Sequence, residues 1–186
     1  MKIAAAIAFL LSLVAVSRAA PTASWTPPPE RFTADEWTNR SPTWAATESD
    51  RGHTIVWFYK EMKQEEALPV LLRALDYGET WLQTKAVQQL EKLTIPFPKD
   101  FEGKLVPFYD SIQLDKFPAD IKAFSAIEND RAALKFELAI LLFKINPERG
   151  RATIKTLAKA APQEQFRSVA KQMILELTKT NSIPAK

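Results

Sequence analysis

Three segments of the chain carry one arrangement of apolar and polar positions. An apolar residue is followed directly by a polar or basic one, then by a small or apolar residue at +4 and apolar residues at +8 and +11. The arrangement reads Leu82, Gln83, Ala86, Leu90, Leu93; then Leu134, Lys135, Leu138, Leu142, Ile145; then Phe166, Arg167, Ala170, Ile174, Leu177. Steps of four, four and three keep one stripe of an α-helix facing one way, so each segment predicts an amphipathic helix with a similar buried face. Three such helices in one short chain predict stacked helical units. On this alignment Ala86 and Ala170 sit where helices pack closely.

Punctuation along the chain sets the other expected elements. Residues 20–42 form a proline-rich arm with Pro21, Pro27-Pro28-Pro29 and Pro42, whose proline run enforces extended polyproline backbone. Ser41-Pro42 reads as an N-cap and first helical position, opening a helix over 43–62 on which Trp44, Arg51, Ile55, Phe58 and Met62 share a face. Residues 65–75 read as a helix with Glu65, Glu66 and Pro69 in its first turn and the glycine stop Asp76-Tyr77-Gly78 after it. A second helix spans 79–93. Ile95-Pro96-Phe97-Pro98 breaks the chain, and 99–115, interrupted by Gly103 and Pro107, reads as irregular or weakly helical. Pro118 opens a short helix to Ile127. Asn129-Asp130 cap the next, to Ile145; Pro147 starts one to Ala160, and Pro162 starts the last, to Thr178, before a frayed tail over 181–186.

These residues resemble the HEAT-repeat superfamily, in its short bacterial form. There, a first helix with an early proline and paired leucines is followed by a turn and a second helix patterned Val-Arg-x-x-Ala with Leu at +8. Leu68-Pro69-Val70-Leu71-Leu72 with Leu82, Ala86 and Leu90 fits that pattern. So does Leu142-Phe143-Lys144-Ile145-Asn146-Pro147-Glu148 followed by Ile154, Leu157, Phe166, Arg167 and Ala170. The family's arginine is Gln83 in the first copy and Lys135 in the second, where Leu138 also replaces its alanine. Copies start at Leu82, Leu134 and Phe166, and the longer first interval suggests extra chain inserted around 96–115. The resemblance covers residues 65–178. It implies an all-α fold, a short α-solenoid of helical hairpins over 43–180, and a common family role of presenting surfaces to partners.

The first residues read as a secretory leader: Lys2, an apolar run from Ile3 to Val16, and Ser17-Arg18-Ala19 with small residues at −3 and −1 of a cut after Ala19. The run is shorter than the roughly 20 residues that cross a bilayer, and no other stretch is apolar enough to span one. The expected location is periplasmic or extracellular. Cysteine is absent, so apolar packing rather than disulfides must hold the chain that follows the cut.

Charge changes the picture once it is divided. Residues 20–130 hold 12 Lys+Arg and 18 Asp+Glu, a balance of −6, whereas 131–186 hold 11 and 4, a balance of +7. Polarity of this kind can steer an acidic partner or drive head-to-tail self-association, and it can equally be a property of solvated faces.

Little in the chain offers catalysis. His53 is the one histidine, which with no Cys excludes the usual zinc sites and cysteine nucleophiles. Four glycines never form a phosphate-cradling loop. The carboxylate pairs Asp35-Glu36 and Glu65-Glu66 lie where helix starts favour acids. Some members of the wider family act on bilin pigments, but no shared site motif is present here. No cofactor or metal is expected, and nucleic acid is an unsuitable target outside the cell.

Two features stand out as candidate binding surfaces. Trp25 and Trp37 in the proline-rich arm, with Trp44 just after it, serve either to cover the open end of a helical stack or to meet a partner. Arg151, Lys155 and Lys159 form a row four residues apart, and Arg167 and Lys171 repeat the spacing on the next helix. The expected function is an exported, non-enzymatic protein-interaction scaffold. The alternative is a carrier holding a small apolar or anionic ligand in a concave face.

Overall fold

The computed structural model describes residues 63–76 and 80–180. These hold six α-helices, two short 3-10 turns and no strand. The helices are α1 (Gln64–Ala74), α2 (Thr80–Leu90), α3 (Phe101–Ser111), α4 (Ala126–Ile145), α5 (Pro147–Ala160) and α6 (Glu164–Thr180). The leader, the proline-rich arm with its tryptophans, the helix expected over 43–62, His53 and the tail lie outside the described residues. Two compact units divide between residues 99 and 100.

In the first unit α1 packs on α2. Ala67, Val70, Leu71 and Ala74 line the buried side of α1, and Leu82, Ala86, Val87 and Leu90 that of α2. Glu65 and Glu66 sit in the first turn of α1, where its dipole favours negative charge. Pro69 lies one turn deeper than the sequence suggests, inside the helix. The carbonyl it leaves without a donor belongs to the exposed Glu65, where water can serve. The helices are also tied beyond their ends, because the Gln64 carboxamide oxygen accepts from Thr94 N at 2.7 Å and Thr94 Oγ1 at 3.1 Å.

In the second unit α3 packs on α4, α4 on α5, and α5 on α6. Helix α4 is its centre. Leu134, Phe136, Leu138, Ala139, Leu141 and Leu142 are all buried, on every side of the helix rather than along one stripe. Edge-on aromatic contacts extend this core, with ring centroids 5.4 Å apart for Phe136–Phe166, 5.7 Å for Phe124–Phe166 and 5.5 Å for Phe117–Phe124.

Three boundaries differ from the sequence reading. Residues 101–111 form a helix despite Gly103 and Pro107. Both are exposed, so the hydrogen bond that proline removes is lost on the solvent side, while Phe101 and Leu105 bury one turn apart. Pro118 does not start a helix: 3-10 turns at Leu114–Lys116 and Ile121–Ala123 occupy this stretch, and α4 begins at Ala126. Its cap is Ser125, not Asn129-Asp130. The Ser125 Oγ accepts from Glu128 N at 3.3 Å, and the Glu128 carboxylate accepts from Ser125 N at 2.7 Å and Oγ at 2.8 Å. Those bonds hold the Glu128 carboxyl below the usual range. The last helix starts at Glu164, two residues past Pro162, because Gln163 turns inward.

The corner between α4 and α5 is the tightest in the unit. Asn146 ends one helix and caps the next, its Oδ1 accepting from Arg149 N at 3.1 Å, with Pro147 as the first helical residue. Gly150 then meets the last turn of α4 so closely that a Cβ would overlap the Phe143 backbone. Replacing Gly150 with Ala should therefore destabilise by about 1–3 kcal/mol through overpacking. Gly103 has open space around it, so Gly103→Ala should stabilise by about 0.5–1 kcal/mol through helix propensity. Denaturant midpoints of the two variants should move in opposite directions from the parent chain; a shared direction would show that the helix approach at Gly150 is not this close.

Candidate interaction surface

The residue directly after the first apolar position does one job in all three copies of the repeated pattern. Gln83 Nε2 donates to Leu75 O at 3.0 Å, Lys135 Nζ to Ile112 O at 2.6 Å, and Arg167 Nη1 to Ala161 O at 2.7 Å. Leu75, Ile112 and Ala161 are the residues that end α1, α3 and α5. The last carbonyls of a helix have no intrahelical donor and sit at the negative end of its dipole, so an amide, ammonium or guanidinium group there meets two needs together. Lys135 also donates to Tyr109 O at 2.9 Å, and Arg167 to Pro162 O at 2.8 Å.

Each copy is thus a helix pair in which the second helix caps the first. The carbonyl and its donor are separated by 8, 23 and 6 residues in the three pairs. In the second pair the stretch between Ile112 and Lys135 is the longest of the three connections, and α3 is the first helix of that pair. Of the twelve apolar positions in the pattern's first, +4, +8 and +11 places, ten are buried, and only Ile145 and Ile174 are partly open.

Lys135 is the buried member, with its Nζ 3.9 Å from the centre of the Tyr109 ring. Burial pushes its pKa down, and the carboxylates of Asp110 and Asp115 oppose that shift. The Tyr109 hydroxyl is pushed up by burial and by Asp110.

Gln163, which periodicity does not single out, fastens the inserted stretch. Its fully buried Nε2 donates to Pro118 O at 2.8 Å, Leu114 O at 3.1 Å and, more weakly, Phe117 O at 3.5 Å. At the other end of the unit, the Glu102 carboxylate accepts from Asn146 Nδ2 at 3.2 and 3.3 Å and pairs with Arg149 at 3.5 Å, joining the start of α3 to the α4–α5 corner.

The candidate basic residues fall on α5 and α6. Each directly follows a buried residue: Arg151 after Gly150, Lys155 after Ile154, Lys159 after Ala158, Arg167 after Phe166 and Lys171 after Ala170. The helices are joined by three residues and pack together, so they run antiparallel. The two rows thus lie on the two helices of one hairpin, each one position past a buried residue. Lys155, Lys159 and Lys171 are exposed and Arg151 is half-buried. Among the described residues none of these four forms an ion pair. Arg167 differs, because its guanidinium already closes the α5–α6 turn. Glu148 and Glu164 are exposed on the same helices. Trp25, Trp37 and Trp44 lie outside the described residues, and among those described no cluster of His, Asp and Glu is arranged to hold a metal ion.

No family model matches this chain, and no curated protein or solved structure is detectably similar to it. Among the described residues no helix is long and apolar enough to cross a membrane.

The capping geometry makes Lys135 testable. Lys135→Met strands the carbonyls of Tyr109 and Ile112 and should destabilise by about 1–3 kcal/mol at neutral pH. A lysine whose folded pKa lies below its unfolded value of about 10.4 binds fewer protons when folded, so its contribution to stability rises with pH through that window. The gap between the parent chain and Lys135→Met should therefore widen as pH rises toward about 10.4. A gap that narrows on the alkaline side in chemical denaturation would contradict a buried, desolvated amine.

Proposed function

We propose that this chain is an exported, non-enzymatic interaction module of HEAT-like helical hairpins, and that the basic side of α5–α6 docks an acidic protein surface. The observation that carries the reading is a contrast among cations. Lys104 pairs with Asp100, Arg149 with Glu102, and Lys135 and Arg167 are held by carbonyls. Lys155, Lys159 and Lys171, carried with Arg151 on the two helices of one hairpin, have no ion pair among the described residues. Like charges held together carry a small mutual repulsion that an anionic partner relieves while adding attraction of its own. The HEAT-like reading is supported by the recurrence of one capping contact in three helix pairs, because a repeat unit should repeat its internal fastening and not only its apolar stripe. Export is supported by the leader pattern.

Arg151, Lys155 and Lys159 changed together to Gln should leave helix content and melting temperature nearly unchanged. Binding of a labelled oligo-glutamate peptide, followed by anisotropy, should fall at least about tenfold at an ionic strength of about 0.1 M, and the difference should shrink near 1 M, where charges are screened within about 3 Å. Equal binding by the variant, or no binding by the parent chain at low salt, would leave these residues as an ordinary solvated face. Binding to anionic vesicles without binding to the peptide would assign the face to a membrane surface instead.

A further inference from the structure

The second unit carries opposite charge in the two parts of its sequence. Residues 100–130 hold seven Asp+Glu against three Lys+Arg, and residues 131–180 hold ten Lys+Arg against four Asp+Glu. At the acidic end, Asp110, Asp115 and Asp120 are exposed along the close of α3 and the 3-10 turns that follow, with Lys116 and Lys122 the cations among them. Among the described residues these three carboxylates form no ion pair, although Asp120 accepts a local bond from Lys122 N at 2.9 Å. At the basic end stand Lys155, Lys159 and Lys171 with the half-buried Arg151. Within the unit the stretch that carries Asp115 and Asp120 lies against the start of α6, where Gln163 donates to Leu114 O and Pro118 O, yet none of its carboxylates pairs with Arg151, Lys155, Lys159 or Lys171. A chain with two complementary patches, neither paired within the copy, offers each of them a counterpart on a second copy.

We propose that the acidic surface met by the α5–α6 face is the Asp110–Asp115–Asp120 edge of a second copy of this chain, an inference that rests on the docking role proposed for that face. The contact proposed joins the acidic patch of one copy to the basic patch of the next, head to tail. Each dimer keeps one free patch of each sign and can add further copies. Both patches contain only exposed side chains apart from Arg151, so the contact is electrostatic in character, and the association should weaken steeply with salt.

The test uses the chain expressed with its own leader, recovered after processing and followed by sedimentation velocity. The parent chain should show a concentration-dependent rise in average mass at about 0.1 M ionic strength that is lost near 1 M. A basic-patch variant (Lys155→Gln, Lys159→Gln, Lys171→Gln) and an acidic-patch variant (Asp110→Asn, Asp115→Asn, Asp120→Asn) should each be monomeric with parental helix content. Mixed together, the two should form a 1:1 dimer that grows no further, because each supplies the patch the other has lost. A parent chain that stays monomeric at low salt overturns the self-association, and so does a mixture that fails to dimerise when the parent chain associates. In either case, retained binding of oligo-glutamate by the parent chain, lost in the basic-patch variant, would keep the docking role and remove only the second copy as its occupant. Loss of both would remove both.

Discussion

The termination of each first helix by a side chain from its successor is the constraint on which the remaining packing rests. A helix ends with carbonyls that have lost their donors, and burying that end against another helix is costly unless a donor arrives from elsewhere. Gln83, Lys135 and Arg167 supply it at Leu75, Ile112 and Ala161. Because the donor directly follows the first residue of the buried stripe, one short stretch both seats the second helix and closes the first. The donors differ chemically while the geometry is shared. Gln83 brings a neutral amide, Arg167 a guanidinium reaching two successive carbonyls, and Lys135 an ammonium buried against the Tyr109 ring.

The middle pair shows how this arrangement tolerates a long insertion. Twenty-three residues separate Ile112 from Lys135, yet the donor reaches the same acceptor. The intervening chain is anchored at several points. Gln163 donates to its carbonyls, Phe117 and Phe124 extend the aromatic series that includes Phe166 and Phe136, and the Ser125–Glu128 box starts α4. With helices on both sides and the inserted stretch against it, α4 is buried nearly all round, which accounts for its weak amphipathic pattern despite its length.

The same economy of donors shapes the surface. Lys104, Arg149, Lys135 and Arg167 are engaged within the chain, whereas Arg151, Lys155, Lys159 and Lys171 have no ion pair among the described residues. A surface function assigned to these residues therefore concerns Arg151, Lys155, Lys159 and Lys171 more than Arg167, although spacing alone places all five in one class.

Periodicity, capping residues and charge distribution are local properties, and the chain displays them residue by residue. The three buried stripes, the start of α5 at Pro147, the acidic first turn of α1 and the basic rows all follow from spacing. The Ser125-x-x-Glu128 box is equally legible and marks the start of α4 better than Asn129-Asp130. Tertiary structure alone decided the rest. Gly103 and Pro107 fall on the solvent side of a helix because the opposite side finds a core. Lys135 is buried because carbonyls 23 and 26 residues earlier are brought to it. Gln163 turns inward because three carbonyls of the inserted stretch converge on it. A side chain's type and spacing declare what it can donate or bury, but the acceptor it meets depends on which distant segment the loops return beside it.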